Sequence, residues 1–240
     1  MAMNPGFDWR AFDRRLFLFT AILFPVVVVV GFGPTYYLKF AFGNPPLPSF
    51  LVHAHGIAMT VWIALFITQV YLISSKRIKV HQRLGILGVA LAPVIIALGV
   101  MTGVASAARG FGVPGIPPLS FLIVPLGDVF VFAILFAAAI YYRRKAANHK
   151  RLILLTVLNF LPPALGRFPF ELAGSPPFFW GVPDVLAIIF LIFDTWKNRK
   201  LNKVFLAGTL LMIASHPLRI MISTTDVWIR FATWLTSFVS

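Results

Sequence analysis

The chain of 240 residues contains no cysteine. Disulfides, thiolate metal centres and iron–sulfur clusters are therefore excluded, and any bound group has to be held by other ligands. Acidic residues are scarce too: Asp and Glu together number 7 against 21 Lys and Arg, and charged residues make up 12% of the sequence. So few charges, set beside 59% hydrophobic residues and a mean hydropathy of +0.89, do not describe a soluble domain; the chain belongs in a bilayer. Walker loops, a G-x-G-x-x-G after a strand, H-E-x-x-H and G-x-S-x-G are all missing. Their absence removes the commonest nucleotide, zinc-hydrolase and serine-hydrolase chemistries.

What is present is a series of seven apolar segments, at about 16–38, 51–75, 84–108, 120–142, 152–172, 178–196 and 204–222. Most are long enough to cross a hydrocarbon core of about 30 Å as a helix, and the sixth is short. The expected fold is all-α: a seven-transmembrane-helix bundle over 16–222, preceded by a short segment 1–15 and followed by a tail 223–240. The first apolar segment is too long for a signal-peptide core and lacks an A-x-A site, so it reads as an uncleaved span. In the tail, Trp228, Phe231, Leu235 and Phe238 share one face, which predicts an amphipathic helix lying on the membrane surface.

The net charge of +14 is explained by where the basic residues fall. Clusters at Arg10 to Arg15, Lys76 to Arg83, Arg143 to Arg151 and Lys197 to Lys203 occupy one side of a seven-span chain, and the other side receives only Lys39, Arg109, Arg167, Arg219 and Arg230. By the positive-inside rule the N-terminus is cytoplasmic and the C-terminus outside, as in a bacterial inner membrane. Basicity then serves topology and anionic lipid, and no nucleic-acid partner is needed to account for it. Seven spans invite comparison with retinal proteins, but no lysine lies in the seventh segment to form a Schiff base.

The most informative stretch is Leu51 to Gly85. His55, Met59, Trp62, Phe66 and Gln69 form one stripe of a helix, and His53 points nearly opposite, so His55 is the inward histidine of the pair. A histidine in such a segment needs a partner, because desolvating its ring nitrogens is costly. In the third segment, Gly99 and Gly103 make a small-xxx-small step that allows a helix or a flat cofactor to approach closely. The fifth holds Asn159, Pro162, Pro163 and Arg167, which marks a helix facing the bundle interior. Two cytoplasmic helix starts repeat His-x-Arg-Leu, at His81 and at His149, and each is followed by a proline, Pro93 and Pro162, in a faint parallel repeat.

Sorted by depth, the unusual residues make two groups. His81, His149 and Asp194 lie toward the cytoplasm; His53, His55, His216, Asp128, Asp184, Arg167 and Arg219 lie toward the outside. Two histidines per leaflet without cysteine is the ligand set of two bis-imidazole b-type haems, with His81 pairing His149 and His55 pairing His216. Arg167 or Arg219 would neutralise propionates, and Asp194 would orient a ligand or a motif arginine. The same residues admit other readings. His53, His55 and His216 offer a copper or zinc site, the outer group offers a quinone headgroup site, and the acids with the arginines offer interhelical ion pairs.

On His81-Gln-Arg-Leu-Gly, His149-Lys-Arg-Leu, His55-Gly56, Trp62 and Gln69, the chain resembles a group of bacterial multi-pass proteins without a settled activity, over roughly residues 50–165. More distantly it is similar to transmembrane two-haem cytochromes b and to histidine-rich membrane proteins that assist oxidase assembly. That likeness implies His55, His81, His149 and His216 as ligands. The function expected is electron transfer by haem b, with quinone as an exchange partner. The alternatives are an accessory or assembly subunit of a larger respiratory or photosynthetic membrane complex, and a transporter using Asp128, Asp184 and Arg167.

Overall fold

A computed structural model describes residues 9–45, 47, 49–113 and 115–239, with side chains from Phe17 onward. Among them there is no strand. The elements are α1 (Trp9–Phe32), prolonged by a π-helical turn Gly33–Tyr37, α2 (Phe50–Ser74), α3 (Ile78–Ala108), α4 (Pro118–Phe121), α5 (Ile123–Tyr141) and α6 (Ala146–Asn159). After these come α7 (Pro162–Leu165), a 3-10 turn Glu171–Gly174, α8 (Pro176–Phe179), α9 (Gly181–Asn198), α10 (Lys203–Ser223) and α11 (Asp226–Thr236). The expected lead 1–15 lies outside the described residues as far as residue 8, and beyond that it is already part of α1.

Six helices among the described residues are long and apolar enough to cross a membrane: Phe17–Tyr37, Phe50–Ser74, Ile78–Ala108, Pro118–Tyr141, Pro176–Asn198 and Lys203–Ser223. The fifth apolar segment differs from the continuous helix expected over 152–172. It is helical only to Asn159, loosens into i to i+3 bonds at Phe160 and Leu161, and resumes for one turn at Pro162. Two adjacent prolines supply no N–H and crowd the preceding carbonyls, so the helix stops before them. Pro93, standing alone, leaves α3 unbroken from Ile78 to Ala108. The faint repeat therefore does not extend to structure. Yet α6 is the most buried helix of the bundle, with Leu152, Leu155, Val157, Leu158 and Asn159 all at 2% exposure or less.

Within a bilayer, lipid is as apolar as leucine, so helices associate by close van der Waals packing and by polar pairs rather than by escape from water. Glycines set the approaches. A Cβ on Gly31 would collide with the backbone of Ala164, one on Gly99 with Val129, and one on Gly208 with Leu155. Around α6 the core is aromatic: Trp62 meets Phe132 and Phe136 edge-on at 5.3 and 5.4 Å, and Phe132 packs on Phe160 at 4.5 Å. Phe24, Phe205 and Met212 close the cluster. The valine run of α1 splits by face, with Val28 buried and Val26, Val29 and Val30 exposed.

The antiparallel succession gives the bundle two ends. At one, the end of α2 meets the start of α3, the end of α5 meets the start of α6, and the end of α9 lies against the start of α6. This is the basic end, since the loops here and the helix ends beside them hold 13 of the 21 lysines and arginines. At the other, the start of α5, the end of α6, the start of α9 and the end of α10 converge. Here α11 folds back over α3 and α4: Trp228 Nε1 donates to the Leu119 carbonyl at 2.9 Å, and Ala232 packs with Val104, Ala107 and Leu122. Of the four residues expected on one apolar face, Trp228 and Leu235 pack on the bundle, and Phe231 and Phe238 remain exposed.

Candidate functional site

At the basic end, His81 is the fourth residue of α3 and His149 the fourth residue of α6. Their ring centres lie 6.5 Å apart with planes at 75°. An imidazole nitrogen about 2 Å from a metal sets its ring centre about 3 Å away, so two imidazoles on opposite sides of one ion stand about 6 Å apart. The pair has that spacing. His149 Nδ1 lies 2.9 Å from the Ala139 carbonyl, which requires Nδ1–H and leaves the Nε2 lone pair free. Gln69, with its amide turned to satisfy both neighbours, accepts from Gly85 N–H at 2.9 Å and donates to His81 Nδ1 at 2.5 Å. His81 then carries its proton on Nε2. The two rings are in complementary tautomers, assigned from their partners: His149 presents a free Nε2 lone pair, and His81 presents Nε2–H.

The motif arginines diverge. Arg83 is exposed, whereas Arg151 is 7% exposed and bonds Asp194 at 2.5 Å and the Ala147 carbonyl. Asn198 also donates to Asp194 Oδ1, at 3.1 Å, and Asn202 joins Asn148 at 2.8 Å, so α6, α9 and α10 are tied at this level.

At the opposite end, Asp128 and Arg219 are 6% and 4% exposed and form an ion pair at 2.5 Å. Arg219 also donates to the Val124 carbonyl and to Ser215 Oγ, and Asn159 Nδ2 donates to the Asp128 carbonyl at 2.9 Å. Gly127 is part of this arrangement, since a Cβ there would occupy the space of the Arg219 guanidinium. Beside it His216 Nδ1 meets Asp184 Oδ2 at 3.0 Å, and its ring stacks on Trp180 at 4.9 Å, with planes within 8° of parallel. No ring contact or hydrogen bond joins His216 to His55. His55 instead faces Gly99 with its Nδ1 buried and unpartnered. Exposed His53 contacts Tyr36 through Nδ1 at 3.4 Å. Arg167 lies over the Phe32 ring at 4.5 Å and donates to the Pro163 carbonyl, apart from the Asp128–Arg219 pair.

The two histidine pairs expected as haem ligands thus stand in very different surroundings. The basic end brings two imidazoles to 6.5 Å, each with its Nδ1 engaged by a neighbour. At the opposite end His216 is committed to Asp184 and Trp180, Arg219 to Asp128, and His55 has no facing histidine. Of the glycines expected to let a flat cofactor approach, Gly99 is closed by Val129, and Gly103 faces Pro125 and Leu122 at ordinary contact distance. Among the described residues no group of three or more His, Asp or Glu is placed to hold a metal ion, so His53, His55 and His216 are not brought together as one site. Sequence reasoning missed Trp180, Tyr36, Ala139 and Gln69's partnership with His81. Only Gln69, polar inside an apolar helix and on the His55 stripe, carried a signal.

No protein-family model matches the chain, and neither a curated protein nor a solved structure matches it.

Proposed function

We propose that the chain is a membrane-embedded electron carrier that binds one b-type haem between His81 and His149. The observation that carries this reading is the 6.5 Å separation of two imidazoles presented by two different helix starts. When bound, haem supplies a one-electron couple whose potential depends on axial ligands and their hydrogen bonds. The chain's own part is positional. Ala139 holds the His149 ring in the tautomer with a free Nε2, the Arg151–Asp194 pair fixes the start of α6 on which His149 stands, and ligation by His81 would move its proton to Nδ1, with the Gln69 amide turning so that its oxygen accepts it. In this reading the broken fifth segment still traverses the bilayer, giving seven crossings with the basic end in the cytoplasm of a bacterial cell and α11 on the outer surface.

A visible spectrum of detergent-purified protein, oxidised and then reduced with dithionite, tests the proposal. The expected result is a Soret band that sharpens and an alpha band that appears on reduction, both lost in His81→Ala and His149→Ala and kept in His216→Ala. A folded, colourless and metal-free protein overturns it.

A second reading, an accessory subunit of a larger membrane complex, is favoured by the tail. Phe231, Trp234 and Phe238 form an exposed aromatic ladder along α11, with rings 5.8 and 5.0 Å apart. Truncation after Ser223 would then strip co-purifying proteins and leave any pigment intact. Transport through Asp128, Asp184 and Arg167 loses support, because both acids are already paired within the bundle.

A further inference from the structure

Between the end of α1 and the start of α2 a cavity of about 560 Å³ is lined by Tyr36, Tyr37, Lys39, Phe50, Ser49 and His53 among others. Lys39 is 9% exposed as a whole residue, its ammonium sits 4.7 Å from the centre of the Phe40 ring, and no carboxylate among the described residues pairs with it. No Asp or Glu occurs anywhere from Gly33 to Gly56. The residue is packed along its stem while its ammonium lines the open cavity, where one aromatic face offsets only part of the cost of holding a cation at low polarity. An anion in the cavity would complete the site.

Its depth says which anion. Lys39 follows the candidate span that ends at Tyr37, and the next begins at Phe50, so the cavity opens where lipid headgroups lie. Phe40 and Phe50, at 85% and 83% exposure, flank it with apolar surface suited to a glycerol backbone and the first methylenes of acyl chains. The polar wall is built deliberately. Tyr36 is seated where a Cβ on Gly56 would be, its hydroxyl reaches His53 at 3.4 Å, and Tyr37 is pinned to Thr60 Oγ1 at 3.0 Å. The π-helical turn Gly33–Tyr37 carries both tyrosines to this wall, a common use of such a distortion. Lys39 is also remote from the basic end, so the distribution of charge across the membrane does not account for it.

We propose that this cavity binds the phosphate of an anionic phospholipid in the leaflet opposite the basic loops, with Lys39 as counter-ion and Tyr36 and His53 as hydrogen-bond partners. Native mass spectrometry of the full chain in detergent, titrated with phosphatidylglycerol and separately with phosphatidylcholine, tests it. The preference for phosphatidylglycerol should fall about fivefold in Lys39→Gln, the worth of one basic side chain against anionic lipid. It should persist in Lys39→Arg and in Lys76→Gln at the basic end. Gly56→Ala, which evicts Tyr36 without touching charge, should weaken binding in the same direction. An undiminished preference in Lys39→Gln overturns the proposal, as does loss of the preference in Lys76→Gln alone. Equal competition by inorganic phosphate would make the occupant a free anion and overturn the lipid assignment.

Discussion

The two polar layers of the bundle use the same residue types in opposite ways. At the basic end the histidines face one another, each held by one nitrogen, with the arginine and acid set to the side. At the far end the histidine itself is bonded to the acid and covered by Trp180, and the arginine is spent on Asp128. Polar residues in a membrane are expensive in either case. The difference lies in whether their partners come from within the layer. The far layer pairs Asp128 with Arg219 and Asp184 with His216 and so clamps α5, α9 and α10 together, with Asn159 of α6 bonded to it; the basic layer leaves the edges of two facing imidazoles without an acid.

The comparison is tested hardest by removing one acid from each layer. Asp128→Ala strands a buried guanidinium and should cost about 3–5 kcal/mol in unfolding measurements in detergent. Asp194→Ala should cost less, about 1–3 kcal/mol, because the Asp194 side chain is 16% exposed against 8% for Asp128. Equal losses would erase the distinction between clamp and site. The double change Asp128→Leu with Arg219→Met should recover most of the stability, since well-packed apolar groups replace a buried pair at little cost.

Glycines should divide along the same line. Gly127→Ala intrudes on Arg219 and should destabilise by about 1–3 kcal/mol. Gly88→Ala at the α2–α3 contact meets only Leu65 at 3.5 Å and should be nearly neutral. Nitrogen-15 spectra of histidine-labelled protein free of ligand should report Nδ1–H for His149 and Nε2–H for His81. In Gln69→Leu the His81 preference should vanish while that of His149 stays. The smallest change belongs to α11: Trp228→Phe loses the bond to Leu119 and should cost about 1 kcal/mol in thermal stability, leaving both layers untouched.

Much of this was legible from residue patterns. Apolar runs of sufficient length, interrupted by basic turns, dictate membrane helices because an unsatisfied backbone cannot enter hydrocarbon. The inward face of α2, the buried character of the fifth segment and the grouping of polar residues by depth all follow from helical periodicity and the cost of desolvation. The pairing His81 with His149 was reachable because both follow a basic turn at the same helical position. The pairing His55 with His216 was not, for depth alone does not say which helices are neighbours: Gly99 and Val129 close against His55, and Trp180 covers His216.

By itself, then, the sequence determined a multi-pass helical chain and the grouping of its polar residues by depth, since these depend on local periodicity and charge; the break before Pro162, where a continuous helix was expected, came only with the structure. Lateral order in the bundle decided everything else. Which arginine is buried and which histidine meets an acid are set by side chains brought from distant helices. In a solvent that offers neither hydrogen bonds nor screening, the identity of that one neighbour settles the role of each polar group.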